Sequence, residues 1–211
     1  DEFFDKISKS QDPFINHGIL NENQTLKFKK ESETHLVFKN VRYLHIIENL
    51  ITKNDKIKIV GIVRNPCAVI YSWINAPKEF NQNWNYLDEW YEAQSKNQNR
   101  VEEYYGFKKW KEATLMFHAL KEKFPKNFYL LKYEDLVDNP LKITRKIFSF
   151  TNIELDNQVK VFLDKCHLNH NKNAYSVFKD KSVKSKWKSN LDKQIISKIY
   201  GKLENTELEV Y

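Results

Sequence analysis

The stretch 58-KIVGIVRNPCAVIYSW-73 decides how this chain is read. Ile57–Val63 is a short apolar run of the kind that forms a strand buried on both faces. It stops at Arg64. Asn65 then offers a side chain suited to cap a helix, and Pro66 suits the first helical position, where its missing N–H costs nothing. Strand, arginine, cap and helix therefore follow one another within a few residues. In an open parallel sheet, ligands bind at the carboxyl ends of the strands, which is where Arg64 would emerge. The helix start adds free N–H groups and positive dipole character. Ser72 stands eight residues after Arg64 and seven after Asn65, so it returns to the capping residue's face of the helix. A guanidinium fork and a hydroxyl in this arrangement suit a phosphate. The same stretch equally fits an arginine paired with a carboxylate above a core-facing serine.

Two further segments read as buried strands, His35–Lys39 (HLVFK) and Phe128–Lys132 (FYLLK). Helical patterns separate them, which predicts an α/β fold with a parallel sheet and helices on both faces. Val41–Thr52 and Tyr104–Phe124 are the predicted helices, the second burying Trp110, Leu115, Phe117, Leu120 and Phe124. Asn139-Pro140 predicts a capped helix running to Phe150, and Asn190–Leu203 a last one. The Asn-, Trp- and Tyr-rich region Asn75–Asn99 is a candidate lid. Its Trp84, Tyr86 and Trp90 either stack on sugar rings or, as the preferred reading, pack against the long helix.

With 211 residues, 14% aromatic and 41% hydrophobic, the chain is globular and long enough for a single domain spanning residues 1–211. Its formal charge is +7, and six lysines against one aspartate lie between Lys172 and Lys188. Such a cluster suits an anionic partner, or is a solvated face. Cys67 and Cys166 form no metal or disulfide pattern, which fits a reducing, cytoplasmic setting. No apolar run reaches membrane-spanning length.

Four stretches, in order, carry a family resemblance. VRNPCAVIYS resembles the 3′-phosphate-binding motif of sulfotransferases that use 3′-phosphoadenosine 5′-phosphosulfate (PAPS). LVFKNVRYLHIIENL resembles the Lys-x-Pro-Arg strand and helix of bacterial-type members, with Val41 in place of the proline. YLLKYEDLVDNPLKITRKIFSF resembles the segment whose tyrosine lies near the adenine. FKDKSVKSKWKSNL resembles the basic segment whose lysine reaches the 3′-phosphate. The likeness runs from about Leu36 to Leu191.

It implies a P-loop-NTPase-like architecture and sulfuryl transfer from PAPS to an acceptor hydroxyl, with a leaning to carbohydrate and no metal or nucleic acid required. By the same resemblance Arg64, Ser72, Tyr133 and Lys181 hold the nucleotide, with Lys179 and Lys184 as less secure neighbours. Lys39 becomes the candidate for stabilising charge during transfer, or else a strand-end lysine paired with a carboxylate. Arg42 either orients the acceptor or pairs with Glu48 or Asp88. His118 reads as structural. The family's N-terminal loop of the PRSGTT type does not occur in this sequence. The expected architecture is therefore N-terminally incomplete, and the chain by itself is expected to bind the nucleotide poorly and to transfer little sulfate.

Two other classes remain on the residues alone. A basic α/β module for RNA or anionic polysaccharide would use the lysines with Tyr175, Phe178 and Trp187, and its binding would be steeply salt-dependent. A nucleotide kinase of similar architecture is the other, and Arg-Asn-Pro with its serine argues against it.

Overall fold

The computed structural model describes residues 2–10, 35–168 and 181–211. Lys172, Tyr175, Phe178 and Lys179 lie outside them. The chain divides into two units, Asp1–Asn40 and Val41–Tyr211.

In the first unit, α1 spans Glu2–Ser8 and carries a Lys6–Glu2 pair at 2.9 Å, one turn apart. The expected strand His35–Lys39 does not form: residues 35–40 have no regular structure and are exposed, Lys39 among them. Val37 is 79% and Phe38 62% exposed. Five apolar-rich residues become a strand only when a neighbouring strand takes their backbone groups and a layer covers a face. Neither condition can be read from the segment itself.

The second unit is built on two strands, β1 (Ile59–Val63) and β2 (Phe128–Lys132), paired in parallel with Ile59 opposite Phe128 and Val63 opposite Lys132. Lys58 and Ile57 fall outside β1, because the amide of Ile57 turns back to Asn54 instead. One sheet face packs on α6 (Gly106–Lys123), where the Phe128 ring meets Phe117 at 5.4 Å between centroids. That ring lies so close over Gly61 that an added Cβ would approach it to 2.6 Å, so only glycine fits this point of β1. Tyr129 points to the other face and meets Phe150 of α8 (Pro140–Thr151) at 5.5 Å. Helices therefore cover both sides of a parallel pair, as the alternation of helical and strand patterns implies.

α6 joins two cores. Its N-terminal half places Phe107 and Trp110 with Val63, with Cys67, Ala68 and Ile70 of α3 (Pro66–Ile74), and with Ile195, Ile199 and Leu203 of the last helix. Leu120, in its other half, joins Phe128, Ile47 and Ile51. The expected helix Val41–Thr52 is shorter than its pattern. Tyr43 takes a left-handed φ of 56°, a 3-10 turn covers Leu44–Ile46, and α2 covers Ile47–Lys53. The last helix, α11 (Lys193–Leu203), starts at Asp192, whose side chain caps it by accepting from Gln194 N. A separate turn of helix, α10 (Trp187–Asn190), precedes it, and α9 (Asn157–Leu168) follows α8 in the chain.

The region Asn75–Asn99 forms packed helices and turns. It contains α4 (Tyr86–Glu92) and α5 (Gln94–Asn97). Trp90 is 6% exposed inside the main core, and Trp84 packs edge-on against Phe80 at 5.5 Å. Its asparagines have local work: Asn85 caps α4, and the buried Asn97 bonds the carbonyls of Glu92 and Tyr105. Tyr86 alone of the three aromatics is exposed. Among the described residues no helix is long and apolar enough to cross a membrane.

Candidate functional site

The junction after β1 is pinned from four sides. Asn65 Oδ1 accepts from Ala68 N at 3.2 Å and caps α3, with Pro66 in the first turn. The Asn65 amide N–H donates to Glu134 Oε1 at 3.0 Å, and its Nδ2 to the carbonyl of Tyr211 at 2.7 Å. Trp110 Nε1 donates to the Arg64 carbonyl at 3.0 Å. The backbone that presents Arg64 is thereby held by α6, by α7 (Tyr133–Asp138) and by the 207–211 segment.

The Arg64 side chain lies over the Tyr133 ring, 4.7 Å from its centroid, and Nη2 donates to the carbonyl of Val183 at 2.7 Å. Its Nε is buried and donates to nothing among the described residues. Burial lowers the guanidinium's pKa, with Tyr133 and Glu134 acting in the opposite direction; an arginine so placed stays charged. The nearby carboxylate of Glu134 is engaged by the Asn65 amide, and among the described residues Arg64 forms no ion pair with it. A charged donor left unpaired in a part-buried place is costly.

Lys181 and Lys184 bound a 3-10 turn, Lys181–Lys184. Lys184 pairs with the carboxylate of Asp138 at the end of α7, and Lys181 Nζ reaches the Asp138 carbonyl at a long 3.4 Å. The bond from Lys184 is the main reason that the Asp138 carboxyl sits below the usual carboxylate range. Trp187, 5% exposed, anchors the turn from behind, and its Nε1 donates to the Lys184 carbonyl at 2.8 Å.

Of the sequence candidates, Arg64, Tyr133 and the Lys181–Lys184 turn come together. Ser72 is exposed on α3, about 10 Å further along the helix axis than Asn65. Among the described residues no hydrogen bond joins it to Arg64. Lys39 belongs to the other unit. Arg42 pairs with the buried Glu103 at 3.2 Å, not with Glu48, which takes Lys123, nor with Asp88, which accepts from Asn85. His118 bonds the Tyr211 hydroxyl at 3.0 Å, a packing role. Cys67 is fully buried and its thiol is pushed up to about 12 by burial, so it is inert. Sequence reasoning missed Asp138 and the Val183 carbonyl. Asp138 was findable, since it stands four residues after Glu134 and shares its helix face; a backbone carbonyl leaves no such signal.

A strand-tip arginine thus lies over an aromatic ring and beside a lysine-bearing turn. The model of the sulfotransferase domain matches residues 6–206, and the chain belongs to the sulfotransferase family. Among solved structures, it resembles mouse sulfotransferase SULT7A1 complexed with PAP, at 17% identity and a TM-score of 0.49. That alignment covers 76% of this chain, which spans 63% of the other. No curated protein matches this chain.

Proposed function

We propose that this chain belongs to an enzyme that moves a sulfuryl group from PAPS to an acceptor hydroxyl, giving a sulfate ester and adenosine 3′,5′-bisphosphate. The single observation that carries the reading is the buried Nε of Arg64, unpartnered among the described residues and presented between Tyr133 and the Lys181–Lys184 turn. The phosphate on the ribose 3′ position supplies the anion that this guanidinium lacks. Lys181 closes from the turn, and Ser72 lines the helix that leads away from the arginine. One face of the Tyr133 ring steadies the guanidinium, and its other face is offered to the adenine.

Transfer itself is read as an in-line displacement, in which positioning and stabilised charge on the bridging oxygen do most of the work. Lys39 is the residue proposed to meet that charge, and a base removes the acceptor proton. The acceptor class proposed is carbohydrate, supported by the bacterial-type likeness of the Lys39–Arg42 stretch. One domain over residues 1–211 is proposed because the family match crosses both units. The two free cysteines support a reducing, cytoplasmic setting. Since no PRSGTT-type loop occurs in the sequence, the chain by itself is read as a holder of the 3′-phosphate half, with little transfer of its own.

The test is calorimetric titration of the chain with adenosine 3′,5′-bisphosphate. Arg64→Ala is expected to weaken binding by at least ~1.5 kcal/mol, the scale of a hydrogen bond to a charged group. Adenosine 5′-phosphate, lacking the 3′ group, is expected to bind the wild type weakly and to be indifferent to the substitution. Equal bisphosphate affinity of wild type and variant sinks the reading.

A further inference from the structure

α7 supports both halves of the nucleotide site from one helix face. Glu134 takes the Asn65 amide next to Arg64, and Asp138, four residues on, takes Lys184 on its carboxylate and Lys181 on its carbonyl. Between the two lysines, the Val183 carbonyl accepts from Arg64. Arginine and turn are therefore seated on each other, and both are referred back to the same six-residue helix.

Without a nucleotide, Arg64, Lys181 and Lys184 are three cations drawn to one place, and their mutual repulsion would push the turn away. A carboxylate at the rim offsets this. The two lysines are held differently. Lys184 is ion-paired with the Asp138 carboxylate and has a side chain 26% exposed, whereas Lys181 is exposed and, among the described residues, makes one long bond to a neutral carbonyl. An arriving phosphate competes easily for the second lysine and poorly for the first.

We propose that Asp138 is a positioning residue of the 3′-phosphate site: it tethers Lys184 so that the turn is already seated on Arg64, leaving Lys181 to move to the ligand. This rests on the sulfotransferase reading above. It assigns different work to lysines three residues apart, Lys181 as phosphate ligand and Lys184 as tether.

A purely electrostatic view makes the opposite forecast. Removing a carboxylate from beside an anion site should tighten anion binding. Titration with adenosine 3′,5′-bisphosphate separates the two views. Asp138→Asn is expected to weaken binding severalfold, Lys184→Ala to weaken it similarly, and the double variant no further, because one tether is lost in each case. Lys181→Ala is expected to weaken binding and to add in full to Asp138→Asn. Asp138→Glu restores affinity. Hydrogen exchange of residues 181–188 rises in Asp138→Asn and Lys184→Ala but not in Lys181→Ala. Unchanged or tighter binding by Asp138→Asn overturns the proposal, as does full additivity of Asp138→Asn with Lys184→Ala. If the wild type binds no bisphosphate, the sulfotransferase reading fails and this proposal with it; wild-type binding with an unaffected Asp138→Asn removes this proposal alone.

Discussion

The two sides of the candidate site are held by different physics. On one side, the Arg64–Asn65 junction is fixed by hydrogen bonds to its own backbone and cap from α3, α6, α7 and the 207–211 segment. On the other, the Lys181–Lys184 turn rests on a buried tryptophan behind it, on the single bond from Arg64 to the Val183 carbonyl and on a part-exposed ion pair in front. Part-buried, directional bonds define a position closely, while an exposed ion pair is weak and screened by salt. The junction is thus the more closely fixed of the two, and the turn the more easily displaced.

The largest effect comes from removing what both sides share, the core behind the turn. Trp187→Ala should cost roughly 3–5 kcal/mol of stability by chemical denaturation, since a fully packed indole leaves a large cavity. A cost below about 1 kcal/mol would mean that the turn is not anchored from behind. Next comes the junction. Asn65→Ala removes the cap of α3 and the bond to Tyr211 together, and a loss of about 1–2 kcal/mol is expected from the same measurement. Asn65→Asp, which keeps the capping oxygen, should recover most of it; no recovery would shift the weight to the Tyr211 bond.

The smallest effect concerns acid. Asp138 has its pKa depressed in the folded protein, chiefly by Lys184, so its contribution is complete above the ordinary carboxylate range and is lost as pH falls through the depressed value. Protection factors in residues 181–188 should therefore hold from neutral pH down to about 4 and drop below it, before those of the junction. Simultaneous loss in both regions would erase the contrast between them.

How far the sequence could be read followed from how local each signal was. β2 matches its expected bounds to the residue, and α6 falls within two residues of the expected start and one of the expected end, because apolar spacing and helix-stop signals act within a few residues. The cap at Asn65 and the proline after it were equally plain. At Asn139 the position is right, but its side chain makes no capping bond there. His35–Lys39 reads as a strand by composition and is none, since strand formation depends on partners that composition does not name. Trp90 could be assigned to core or to ligand only by seeing what surrounds it.

By itself, the amino-acid sequence determined that an arginine follows a buried strand and precedes a capped helix, that a lysine cluster comes late in the chain, and that these stand in the order of the sulfotransferase motifs. Spacing along a chain is enough for that. Only the tertiary structure decided that Arg64 lies on Tyr133 with its Nε unpartnered among the described residues, and that Val183 accepts from its Nη2. It alone also set Asp138 between the lysines and, among the described residues, left Ser72 without a hydrogen bond to Arg64. Arg64 and Val183 are 119 residues apart, and bonds across such separations are made by packing, which no local pattern encodes.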